Sequence, residues 1–181
     1  MDAELPTPAA RTAASLRQRR ACAAGLLDAA ADRSRLGWSE LAALPDWAAQ
    51  PRERLDAFAR VVGAWAHAGS LRRCIDGRVL QQWRERIGAQ ALHALMAAPD
   101  SEGETMALLD PCALTEAELD RLLPSTGRDW LLASVESPAL RNALRECLWP
   151  DAGPSLRAIH GETAAEIVRS AAAGSLEENA A

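Results

Sequence analysis

Histidine and cysteine are the side chains best suited to holding a metal, attacking a substrate or moving a proton near neutral pH, and the chain carries three and four of them. His67, His93 and His160 stand in no H-E-x-x-H pattern and at no recognised ligand spacing from a cysteine. His67 and Cys74 could share a helical face, but Gly69 intervenes. Cys22, Cys74, Cys112 and Cys147 lie far apart with no C-x-x-C pair. Each is expected as a free thiol packed like a small apolar residue. Glu116, Glu118 and Asp120 cluster where a helix start favours negative charge, a structural placement. No phosphate-cradling glycine loop is present in the sequence. These residues predict no catalytic site, no cofactor and no metal.

Recognition chemistry offers more. Six tryptophans (Trp38, Trp47, Trp65, Trp83, Trp130 and Trp149) and Phe58 are the whole aromatic supply. Trp65 and Trp83 fall on apolar stripes and are expected in the core. Trp47 and Trp149 adjoin or approach prolines at element ends, where they could be core plugs or exposed anchors for a partner. Arg72 and Arg73 follow an expected helix stop. They could bond terminal carbonyls, pair with a buried acid, or contact a partner. Gln81 and Gln82 could serve a partner or simply span a polar helix face. Arg17, Arg19 and Arg20 read as a solvated helix face.

These residues need elements to position them, and the sequence predicts helices throughout. Thr7-Pro8 is a helix start, with Leu16, Ala23, Ala24 and Leu27 inward and an end near Asp32. A short turn from Trp38 stops at Pro45. Pro51 opens an amphipathic helix with Leu55, Phe58, Val62 and Trp65 in one stripe, ended at Gly69. Asp76 caps a helix holding Val79, Leu80, Trp83 and Ile87, interrupted at Gly88. The residues of the two stripes are expected to form one contiguous cluster. A mixed connector at 99–114 suggests a weak division. Thr115 and Glu118 form a capping box for a helix ending at Pro124, with another from about Arg128 to Glu136. Ser137-Pro138 starts the next, and a last helix covers roughly Glu162–Ala173. The expected fold is all-α: an irregular single-domain bundle of about seven to nine short helices over 1–175, with a disordered tail at 176–181.

Composition agrees. The 181 residues are rich in alanine and leucine and poor in β-branched and aromatic types, which favours helix. All twenty basic residues are arginine, and the net charge of −5 weighs against generic nucleic-acid binding. No apolar run approaches the length of a membrane span, and the acidic N-terminus lacks the features of a signal peptide. A cytoplasmic protein is expected, without membrane insertion.

Two segments resemble a known family. Leu41-Ala42-Ala43-Leu44-Pro45-Asp46-Trp47 reads as L-x-x-L-P-x-W. His67, Leu71, Arg72-Arg73-Cys74-Ile75, Leu80-Gln81-Gln82, Ile87 and Leu92 follow in order. Together they resemble the SctK-type proteins (YscK, PscK, OrgA and MxiK in different branches), cytosolic accessory proteins of the type III secretion injectisome. The resemblance covers roughly residues 38–96. It implies a helical, non-enzymatic adaptor of the cytoplasmic sorting platform. Such an adaptor links the cytoplasmic domain of the inner-membrane ring protein (SctD type) to the pod protein (SctQ type), and lies peripherally at the inner membrane. Trp47, Arg72, Arg73, Gln81, Gln82 and Trp149 are the candidate partner-binding residues. The rival reading is a helical DNA-binding or regulatory protein using Asp76–Gly88 as a recognition helix. Its leucine and tryptophan content and the acidic charge argue against that.

Overall fold

Long stretches of alanine, leucine and arginine lose little side-chain freedom in a helix, and most of the described residues are helical accordingly. The structure, a computed structural model, describes residues 8–29, 36–98, 109–151 and 159–176. Among these lie nine α-helices and no strand: α1 (Pro8–Ala29), α2 (Trp38–Ala42), α3 (Arg52–Ala66), α4 (Ala68–Arg72), α5 (Gly77–Ile87), α6 (Ala89–Ala97), α7 (Glu116–Ala133), α8 (Pro138–Leu148) and α9 (Gly161–Leu176). Short 3-10 turns cover Asp46–Ala49 and Pro111–Ala113. The fold is all-α, as the sequence predicts.

Two compact units emerge: Met1–Leu55 with Ser137–Pro154, and Asp56–Glu136 with Ser155–Ala181. The expected weak division at 99–114 falls within the second of these units. Helices on both sides of that connector, α6 and α7, pack against the same partner, α9, so the connector is internal to one unit. Residues 99–108 themselves, and the tail at 177–181, lie outside the described residues.

In the first unit α1 packs on α8 and on the 46–49 turn. Leu26, Leu44, Ala48, Leu55, Leu140, Ala143 and Leu144 are buried. Trp47 and Trp149 stack with ring centroids 6.3 Å apart and planes 25° apart. Arg19 is half-buried and structural, which corrects its reading as part of a solvated face. It donates to the Leu44 carbonyl at 2.6 Å and pairs with Asp46 at 3.1 Å. Arg52 donates to the Leu148 carbonyl at the end of α8, which satisfies a terminal acceptor. On α1 it is Leu26 that is fully buried, whereas Leu16 and Ala24 are exposed.

In the second unit two glycines let α3 and α7 meet backbone to backbone. A Cβ on Gly63 would strike the Leu123 carbonyl, and a Cβ on Gly127 would strike the Ala59 carbonyl. Both members of each helix pair are four residues apart, so one face of each helix makes the reciprocal approach. This explains why α7 runs through Pro124, against the sequence expectation of an end there. Pro124 gives up one backbone donor and crowds the previous turn. Yet Leu119, Leu123, Thr126, Gly127, Trp130 and Leu131 are buried along the same helix, and burial on that scale outweighs the roughly 3 kcal/mol helix penalty of proline.

Other boundaries moved for similar reasons. The break after α3 falls at His67, and Gly69 and Ser70 lie buried inside α4. Gly88 does interrupt, with φ of 87°, a left-handed backbone that suits glycine. Of the expected cluster, Val62, Trp83 and Ile87 are buried in this unit, whereas Phe58, Trp65 and Leu80 are only half-buried and Leu55 belongs to the first unit. The capping box at Thr115 and the helix starts at Asp76 and Ser137 form as predicted.

Gly63→Ala and Gly127→Ala should each destabilise by about 1–3 kcal/mol or more, because backbone carbonyls cannot swing aside. Gly25→Ala, with open space around it, should be neutral or stabilising by up to about 1 kcal/mol. Denaturant melts of the three variants check this.

The Thr115 hydroxyl and N–H both donate to Glu118, at 2.7 and 2.8 Å, and hold its carboxylate below the usual glutamate range. A carboxylate depressed by folding stabilises above its unfolded pKa, about 4.3, and that contribution fades as pH falls through the folded value. Thermal melts from pH 7 to pH 3 should therefore show wild type and Glu118→Gln converging on acidification.

Candidate functional site

The segment from Arg72 to Gln82 gathers most of the residues singled out for recognition. It begins at the end of α4, whose Ala68, Gly69, Ser70 and Leu71 are buried. Arg72 closes that helix. Its Nε donates to the Leu95 carbonyl of α6 at 3.1 Å, so it satisfies an acceptor in the last turn of a neighbouring helix. The carbonyl bond, one of the three readings for Arg72, is observed. Arg73 follows and is exposed. Cys74 turns inward, its N–H donating to Leu71 at 2.9 Å.

Ile75 then points fully outward, at 99% exposure. Asp76 ends the turn, its carboxylate accepting from the Arg78 N–H at 2.8 Å and so capping α5. A buried residue on one side and a capped helix on the other hold this turn. At its tip it presents one isoleucine flanked by the exposed cations Arg73 and Arg78.

Along α5, Gln81 is exposed and donates to Glu85 at 3.0 Å. Gln82 is half-buried, and its carbonyl accepts from Arg86 at 3.0 Å. Arg86 is bound to the start of α7, with Asp120 at 2.7 Å and Glu116 at 3.5 Å. The hydrogen bond it donates to Asp120 raises its already high pKa, so the charge is permanent. The acidic cluster at 116–120 thus answers a cation on a neighbouring helix, and α5 spends one of its arginines there rather than offering it to a phosphate.

Trp47 and Trp149 are apart from this segment in the chain and belong to the first unit. Both are buried, at 8% and 2% exposure, which makes them core plugs and leaves no exposed ring to anchor a partner. The exposed aromatic is Trp38, at 85%. Nothing in its spacing separated it from the other five. Ile75 had a usable signal: it sits between an inward residue and a helix cap, where an aliphatic side chain can reach neither apolar stripe.

His67 is buried and meets Trp83 edge-on, with ring centroids 6.5 Å apart; His93 and His160 are exposed. No group of three or more potential ligands is drawn together among the described residues. Nor is any helix among them long and apolar enough to cross a membrane.

The cysteines are a surprise. All four are free, but they lie in two pairs, one inside each unit. Cys22 on α1 donates to the Ala48 carbonyl at 3.2 Å, and burial and then nearby Cys147 of α8 push its thiol up. Cys112 stands beside Cys74. Sequence spacing could not reveal either pair, because each is made by chain segments that meet only on folding.

No family model matches the chain, and no curated protein or solved structure matches it either.

Arg72→Ala should cost about 1–3 kcal/mol, since it leaves a part-buried carbonyl without its charged donor. The exposed Ile75→Ser should change stability by less than about 0.5 kcal/mol. Chemical denaturation of the two purified variants separates the structural residue from the presented one.

Proposed function

We propose that this chain is a non-enzymatic adaptor of a type III secretion injectisome, joining the cytoplasmic domain of the inner-membrane ring protein to the pod protein of the sorting platform. The observation that carries this reading is the ordered run from Leu41 to Leu92 that resembles the SctK-type proteins. The geometry adds a physical reason for one part of that run. An aliphatic side chain left at 99% exposure on a well-held turn gains apolar burial only from a partner. The arginines beside it favour a partner surface that rims an apolar pocket with carboxylates.

In this reading the protein acts at the cytoplasmic face of the inner membrane, through separate surfaces and without nucleotide or metal. Arg73, Ile75 and Gln81 belong to the contact surface. Arg72 and Gln82 hold it in shape, and Trp47 and Trp149 build the first unit. Trp38 is available for a second contact.

Affinity capture from the native host should recover the ring protein's cytoplasmic domain and the pod protein. Deleting the gene should abolish effector secretion while the membrane rings still assemble. Ile75→Ser combined with Arg73→Gln should leave a folded protein that loses one partner and keeps the other. Intact secretion in the deletion strain, with neither partner captured, would overturn the adaptor reading.

A further inference from the structure

Cys74 and Cys112 are separated by α5, α6 and a connector, yet the fold makes them neighbours. The 109–113 segment is pinned to α4 by a bond from the Leu109 N–H to Ser70 Oγ at 3.1 Å. Asp110 shapes the next turn by accepting from the Cys112 N–H at 2.9 Å. On the facing side Cys74 is held by its bond to Leu71, and its Sγ lies 3.9 Å from the Asp76 carbonyl. Cys112 is exposed and Cys74 is buried, so an oxidant in solution reaches Cys112 first.

We propose that Cys74 and Cys112 form a dithiol site that a peroxide converts to a reversible intrachain disulfide. The Cys112 sulfur attacks one peroxide oxygen, the O–O bond breaks, and water leaves after proton transfer, giving a sulfenic acid. The Cys74 sulfur displaces the hydroxyl, the S–S bond forms, and a second water leaves with the Cys74 proton. In total two thiols and one hydrogen peroxide give one disulfide and two waters. Partial desolvation, the Cys74 thiol beside it and the Asp110 and Asp76 carboxylates raise the Cys112 pKa, so the reaction quickens as pH rises. The bond closes a loop around α5 and α6 and staples the turn that carries Ile75. The site stands independently of the adaptor proposal.

The test uses the full chain with hydrogen peroxide at pH 8.5, followed by removal of the peroxide, a thiol count under denaturing conditions and tryptic mapping. The count should fall from four to two. The peptide Cys74–Arg78 should appear linked to Ile87–Arg121, and dithiothreitol should restore both. The oxidised chain should melt at a higher temperature. In Cys112→Ser, an exposed substitution that spares the core, Cys74 should stay reduced under the same treatment. The proposal is overturned if all four thiols persist, or if Cys112 over-oxidises while Cys74 stays free. It is also overturned if the link forms between two copies, if Cys22 and Cys147 join instead, or if Cys74 oxidises equally in Cys112→Ser.

Discussion

The second unit depends on the contact where α3 and α7 touch through glycine. With Gly63 against the Leu123 carbonyl and Gly127 against the Ala59 carbonyl, the two helices come closer than any side chain would allow. Dispersion between backbones falls off steeply with distance, so this approach yields dense packing that larger residues could not reach. Val62 and Ala64 on one helix and Leu119, Trp130 and Leu131 on the other are buried around it. The same contact holds a proline within a continuous helix. α9 then packs on both α7 and α6, and α6 on α5 and α4.

From that base the exposed turn acquires its shape. α6 offers a carbonyl near its end and Arg72 takes it, so the end of α4 is fixed to the end of α6. α5 is fixed at its start by the Asp76 cap and near its end by Arg86 on Asp120 and Glu116. The turn between α4 and α5 is therefore restrained on both sides. A restrained tip loses little conformational freedom on binding, which favours recognition by a few side chains. Its composition, an aliphatic residue between cations, matches the apolar pocket with acidic edges proposed for the partner.

Charge is used locally in both units. Arg19, Arg52, Arg72 and Arg86 each donate to a backbone carbonyl, three of them to one on another element. Arginine's planar fork and permanent charge suit this role. The two cysteine pairs follow a different logic. They are contacts between segments remote in sequence, and the Cys74–Cys112 pair lies beside the turn that the proposed partner would meet.

The sequence by itself determined the class of fold and most of the helix starts. Caps at Asp76, Thr115 and Ser137, the break at Gly88 and the amphipathic stripes are local signals, set by hydrogen bonds and side-chain periods within a few residues. It also brought the 67–92 run to notice. Whether Trp47 and Trp149 faced a partner or each other was not legible, because burial of a ring at an element end depends on which distant element covers it. The same holds for Pro124, whose local preference for ending a helix was overridden by the α3 contact. It holds for Arg72 as against Arg73, identical neighbours of which one is half-buried on the Leu95 carbonyl and the other is exposed. Tertiary structure decided these because each turns on a contact between residues far apart in the chain, and no local period or cap encodes such a meeting.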